Sequence, residues 1–201
     1  MKSKSKNIKI NYGFLALMIA FSMMSCSKND NETSQITKGT FKLTSPAVVN
    51  SILLDAFKCE TKVNGIENSI PLLWENAPAN ANAFAITMVH YPNPIDSVNY
   101  NSYLVLWGID KTVTGIPYGK ADDGPWFMGP NKDLNAISYS SPCSKGSGTH
   151  RYIITIYALS ATPKTLPTQS SLTVSNQVLK ASFSTVTIID KATLIFDSIT
   201  P

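Results

Sequence analysis

The run Tyr152-Ile-Ile-Thr-Ile-Tyr-Ala-Leu159 constrains this chain more than any other segment. Its β-branched and aromatic side chains lose rotamer freedom in a helix and pack well on a pleated surface, so it reads as a buried strand. Two more segments read the same way. Phe84 to Val89 alternates loosely and stops before Pro92 and Pro94, which cannot donate to a ladder. Tyr103 to Trp107 is an unbroken apolar run ending at Gly108, as expected of a strand covered on both faces. Phe41 to Leu43, and parts of 185–196, are also strand-like. The one helical candidate spans 172–181, where Leu172, Gln177, Val178 and Leu179 form a weak stripe. Pro, Gly, Asn and Ser gather between the strands, where loops need them. The expectation is a mainly β fold, a sandwich or similar.

The first 25 residues read as an address. Lys2, Lys4, Lys6 and Lys9 precede an apolar run from Phe14 to Met24 that only Ser22 interrupts. That run is shorter than the roughly 20 residues a membrane-spanning helix needs, and it has the length of a signal-peptide core. Ser25-Cys26 follows, and this junction resembles the lipobox of bacterial lipoproteins, in which the cysteine is lipidated and becomes the mature N-terminus. Residues 1–25 are therefore expected to be a signal peptide. Cys26 is expected to carry the lipid, palmitate included, and 26–40 to be a polar tether with too little apolar surface to order itself. One domain is expected over 41–201, long enough to bury a sizeable core. The implied location is the bacterial cell envelope, anchored in a membrane, the outer membrane foremost.

The leader also accounts for the charge. The chain has 17 Lys and Arg against 13 Asp and Glu. Four of those lysines fall in the leader, which has no acid, so the remainder carries 13 of each sign. No basic run interleaved with aromatics follows, and nucleic-acid binding is disfavoured. Beyond Cys26 only Cys59 and Cys143 remain, an even pair that in an exported chain suits either a disulfide or two buried thiols. With no C-x-x-C spacing they do not make a zinc site.

Catalytic motifs are lacking. Gly146-Ser147-Gly148 has the wrong spacing for a nucleophile elbow and leads into a strand rather than a helix. Two histidines are too few for a catalytic metal, Asp122-Asp123 reads as a solvated turn, and no phosphate-loop or dinucleotide fingerprint is found. The expectation is a non-enzymatic protein with no cofactor, no metal and no catalytic residue.

The informative positions are at strand ends. Alternate residues of a strand share a face, so His150 and Tyr152 should project together, about 7 Å apart, with Arg151 pointing away. The glycines just before them allow backbone amides to turn inward as a nest for an anion. His90 closes the 84–89 strand, ahead of the stiff turn Tyr91-Pro-Asn-Pro94.

The order of motifs goes further. Leu43-Thr-Ser-Pro46 and Phe57-Lys-Cys59 are followed by Asn68-Ser-Ile-Pro71-Leu-Leu-Trp74-Glu-Asn-Ala-Pro78 and Phe84-Ala-Ile-Thr-Met88. Ile116-Pro-Tyr-Gly119, Tyr139-Ser-Ser-Pro-Cys143, Gly148-Thr-His-Arg-Tyr152 and Ile156-Tyr-Ala-Leu159 come after them. Read together over about 41–196, they resemble the phosphatidylethanolamine-binding protein family, also called Raf-kinase-inhibitor-like proteins. Ile188 to Leu194 is similar to that family's closing strand. The resemblance implies a two-sheet antiparallel β-sandwich with a few peripheral helices. It also implies a small pocket for anions and phospholipid headgroups, in proteins that mostly bind or inhibit.

By that resemblance His150 and Tyr152 stand in the pocket, and the loop from Tyr139 to Cys143, with Ser141, lines its mouth. Two positions depart from the pattern. His90 falls where the family has the first aspartate of an Asp-Pro-Asp-x-Pro motif. Tyr103 occupies the place of a second pocket histidine, for which Asn101 is the other candidate. The ligand-binding set implied is thus His150, Tyr152, His90, Tyr103, Tyr139 and Ser141. The expected function is binding of a small anion or phospholipid headgroup by a lipid-anchored protein. The competing expectations are an interaction module, such as an inhibitor of exported serine proteases, and an enzyme built on the altered pocket.

Overall fold

The structure, a computed structural model, describes residues 39–201 apart from 94, 96 and 97. The leader and Cys26 lie outside the described residues. In chain order the strands are β1 (Lys42–Thr44), β2 (Val48–Val49), β3 (Ile52–Leu53), β4 (Leu72–Glu75) and β5 (Ala83–His90). Then come β6 (Asn101–Asp110), β7 (Gly115–Ile116), β8 (Phe127–Met128) and β9 (Gly148–Leu159). One α-helix, α1 (Asn176–Ser182), precedes β10 (Ile188–Thr200). Three short 3-10 turns complete the regular structure of the described residues.

These strands form two sheets. The small one has the order β1-β4-β7, and the large one β2-β3-β10-β9-β5-β6-β8. Pairing is antiparallel except where β3 meets β10 in parallel at Ile52 and Asp197. The two sheets face each other across one apolar layer. Phe41 and Trp74, from the small-sheet side, meet Phe84 of β5 at ring separations of 6.2 Å and 5.7 Å. Ile86, Met88, Leu104, Leu106, Ile154 and Ile156 fill the rest of that layer from the large sheet. This is the two-sheet sandwich expected from the sequence, with one parallel contact added.

The back of the large sheet is covered as well. Ala85, Val105 and Trp107 pack there against Leu166, Val174, Leu179 of α1 and Phe183. Double cover explains why β5 is buried at every position and why the Tyr103–Trp107 run has no polar alternation. α1 begins four residues later than the sequence stripe suggested, because Ser175 caps it by accepting the Val178 N–H. Strand β10 starts only at Ile188, since 183–185 form a 3-10 turn.

Strand β9 also differs from the reading at one end. It begins at Gly148 rather than Tyr152, and it pairs with β10 over its full length, from Gly148 opposite Thr200 to Leu159 opposite Ile188. Gly148 has φ +115°, a conformation that excludes most other residues, and open space surrounds it. Its pairing with β5 stops at Tyr152, opposite His90. Four residues of β9 therefore overhang β5.

Cys59 and Cys143 form a disulfide with Cα atoms 4.6 Å apart, which resolves the two alternatives left open by their number. It ties the segment after β3 to the loop before β9 across 84 residues of sequence. Closing so long a loop restricts the unfolded chain, an effect worth about 2–4 kcal/mol. The double variant Cys59→Ser/Cys143→Ser is expected to lose that much in urea denaturation. An unchanged midpoint would show that the bridge does not constrain the unfolded chain.

Candidate functional site

The overhang of β9 carries His150 into a cleft of about 320 Å³ at the end of the large sheet. His90 from β5, Asn101 and Tyr103 from β6, and His150 from β9 supply its floor. Two loops complete it: Lys132 on one side, and Cys143, Ser144 and Lys145 on the other. Among the described residues, no carboxylate lines it. Lys132 lies 3.6 Å from the exposed Asp133, whereas Lys145 has no ion pair among the described residues.

Strand register puts these groups together. His90, Tyr152 and Phe196 are direct cross-strand neighbours on β5, β9 and β10, so their rings form one row across three strands. His90 and Tyr152 are stacked at 4.9 Å, and Tyr152 and Phe196 at 5.5 Å. Tyr103 meets Tyr152 edge-on at 5.1 Å. Tyr152 is fully buried, and its hydroxyl lies 3.2 Å from Ser144 Oγ, pinning the loop before β9. The tyrosine thus supports the cleft from behind, with His90 laid over it.

Hydrogen bonds orient both imidazoles. His90 Nδ1 is 2.8 Å from the Arg151 carbonyl oxygen, and His150 Nε2 is 2.8 Å from the Gly146 carbonyl oxygen. A carbonyl only accepts, so each of these nitrogens carries the proton. In the neutral rings the opposite nitrogens, His90 Nε2 and His150 Nδ1, are then acceptors. A proton added to either would make it a donor. The rings are 5.6 Å apart. His90 is 6 % exposed, and burial, with the nearby His150, holds its pKa below the usual imidazole value. Burial, followed by the adjacent Tyr152, pushes the Tyr103 phenol well above its ordinary range, so it is a donor rather than a base.

The predicted set is only partly brought together. His150, His90 and Tyr103 line the cleft, as does Asn101, and Tyr152 backs it. Arg151 points away, as alternation requires, and pairs with Asp197. Tyr139 and Ser141 do not reach the cleft. Tyr139 is buried in the sandwich core, and Ser141 turns back to accept from the Glu60 N–H and to donate its own N–H to Glu67. The disulfide at Cys143 separates them from the cleft-lining end of the loop, which is 143–145. The glycine turn also differs from expectation: it offers His150 a carbonyl oxygen rather than a nest of amides. Lys132 and Lys145 were missed. Lys145 lies two residues beyond Cys143, a signal that was legible, but Lys132 is brought in from a loop with no motif.

Asp122 is not the solvated turn residue its sequence suggested, although Asp123 is exposed. Asp122 accepts the Tyr139 N–H through Oδ1, and its Oδ2 is buried with no partner among the described residues. Burial foremost, with Glu67 adding to it, raises its pKa to about 6. A carboxyl raised above its unfolded value of about 4 favours folding while protonated and costs stability as pH rises through 6. Asp122→Asn is therefore expected to raise stability by about 1 kcal/mol at pH 7.5, with the gain vanishing near pH 4. Thermal melts across that range read it, and a loss at pH 7.5 would contradict it.

Fold and cleft together define a class: a two-sheet β-sandwich with a small polar pocket at one end of its large sheet. A family model described as "Phosphatidylethanolamine-binding protein" matches residues 44–195. The chain belongs to that family, as the motif order implied. Among solved structures it is similar to the phosphatidylethanolamine-binding protein homologue CT736 of Chlamydia trachomatis. That match has a TM-score of 0.64 and 19% identity, over 81% of this chain and 99% of the other. It is also similar to YbcL of Escherichia coli, described as a new member of the mammalian family. The TM-score there is 0.63 and the identity 19%, over 81% of this chain and all of YbcL. No curated protein matches by sequence.

Proposed function

We propose that this chain is a binding protein rather than an enzyme, and that it holds a small anion or an anionic phospholipid headgroup in the cleft. The observation that carries this is the lining. Two imidazoles and two lysines converge there; among the described residues no carboxylate lines the cleft and, of the two lysines, only Lys132 is paired, with Asp133. A bound anion accepts from Lys145 and Lys132, and from the imidazoles once they are protonated. The Tyr103 hydroxyl, kept protonated by burial, is a further donor. The names of the family and of the related CT736 protein refer to a phosphate-bearing headgroup, which supports the phosphate part of this reading.

Binding should draw a proton onto the site. Burial, and His150 after it, lower the His90 pKa, whereas a bound dianion favours its charged form. Sulfate is the suitable probe because its charge does not change between pH 5 and 8. Its affinity is expected to rise as pH falls over that range, by up to tenfold for each unit by which binding raises the His90 pKa. At the acid end of that range His150→Ala should weaken sulfate about tenfold in titration calorimetry, the loss of one charge-assisted hydrogen bond. An undiminished affinity in that variant would remove the proposal.

The proposed setting is the bacterial envelope, with Cys26 carrying the lipid. Residues 26–40 would then let the domain reach the membrane surface. Cys26→Ala is expected to abolish incorporation of labelled palmitate and to leave the protein in the soluble fraction. A variant still bound to membranes would contradict the anchor.

A further inference from the structure

A second cleft, of about 290 Å³, adjoins the first and shares Asn101 and Lys132 with it. Its chemistry is different. Tyr100, Ser102, Ser175, Asn176 and Gln177 line it together with the apolar Val98 and Leu134, and Lys132 at the shared edge is its one cation among the described residues. No carboxylate among the described residues lines it either. Such a lining offers many neutral donors and acceptors in a small space.

Two of those groups lack partners. Asn176 is 2 % exposed; its Oδ1 accepts from the Tyr100 hydroxyl, but its Nδ2 has no hydrogen bond among the described residues. Ser102 Oγ is likewise buried and unpartnered. Buried polar atoms without partners are costly, so two of them beside one cleft point to a ligand or its bridging water completing the set.

We propose that the two clefts form one extended site for the phosphate ester of a polyhydroxylated alcohol, a sugar or polyol phosphate. This rests on the anion reading of the first cleft. The phosphate lies among His90, His150 and the lysines, and the hydroxyls lie among Tyr100, Ser102, Asn176 and Gln177. Vicinal hydroxyls both donate and accept, as amides and serine hydroxyls do, so the second cleft can satisfy them in pairs. An ammonium headgroup fits poorly. Among the described residues neither cleft offers it a carboxylate, and the Tyr100 ring already carries the Lys180 ammonium 5.3 Å from its centre.

The same chemistry can come from a free sugar phosphate or from a polyol headgroup on a lipid. Titration calorimetry with inorganic phosphate, phosphoethanolamine and glucose 1-phosphate tests the ligand class. Glucose 1-phosphate is expected to bind at least ten times more tightly than the other two. Gln177→Ala, at an exposed position, and Ser102→Ala should each weaken it three- to tenfold while leaving inorganic phosphate unchanged. Equal affinities for phosphate and glucose 1-phosphate, a preference for phosphoethanolamine, or no effect of Gln177→Ala would overturn the extended site and leave the anion reading standing. If His150→Ala also left every affinity unchanged, the anion reading would fall with it. Vesicles of phosphatidylinositol in phosphatidylcholine separate the sources. Vesicle binding displaced by glucose 1-phosphate assigns the lipid headgroup, and solution binding without vesicle binding assigns the free ester; either supports the ligand class.

Discussion

Strand β9 is bonded to β10 along its whole length but to β5 only from Tyr152 onward. The cleft depends on that inequality. Because β10 holds the overhang in place, His150 stays extended although β5 no longer reaches it. The space vacated by β5 is where Asn101, His90 and the two loops converge. Had β5 continued, its hydrogen bonds would have filled the position now open to ligand.

The overhang would not hold its shape without the aromatic row behind it. Tyr152 lies between His90 and Phe196, and its hydroxyl reaches Ser144. One buried side chain therefore fixes the floor of the cleft and the loop that closes it. The disulfide at the adjacent Cys143 holds the same stretch of loop. These supports hold the backbone of 143–145 and the His150 ring close to His90.

Much of this was legible in the chain. The period of two placed His150 and Tyr152 on one face, and the strand is where they fall. His90 was recognisable as the end of its strand, and the motif order identified the sandwich. Tyr139 and Ser141 were misplaced because a loop resemblance carries no information about which part of the loop turns inward. That is decided by the disulfide and by Glu67, which binds the Ser141 N–H. The second cleft was not legible at all. Tyr100 and Asn176 are 76 residues apart and meet only through the packing of α1 on the sheet.

The sequence by itself determined the three long central strands, the sandwich, and the places of the two histidines near the ends of β5 and β9. These follow from local periodicity and from the residues that stop a ladder. Only the tertiary structure decided what lines the clefts. The first takes its lysines, Lys132 and Lys145, from two loops, and its neighbour takes Tyr100, Ser102 and Asn176 from separate elements. Charges and unpaired polar atoms act through space and solvent exclusion, and neither quantity is written in the spacing of residues along the chain.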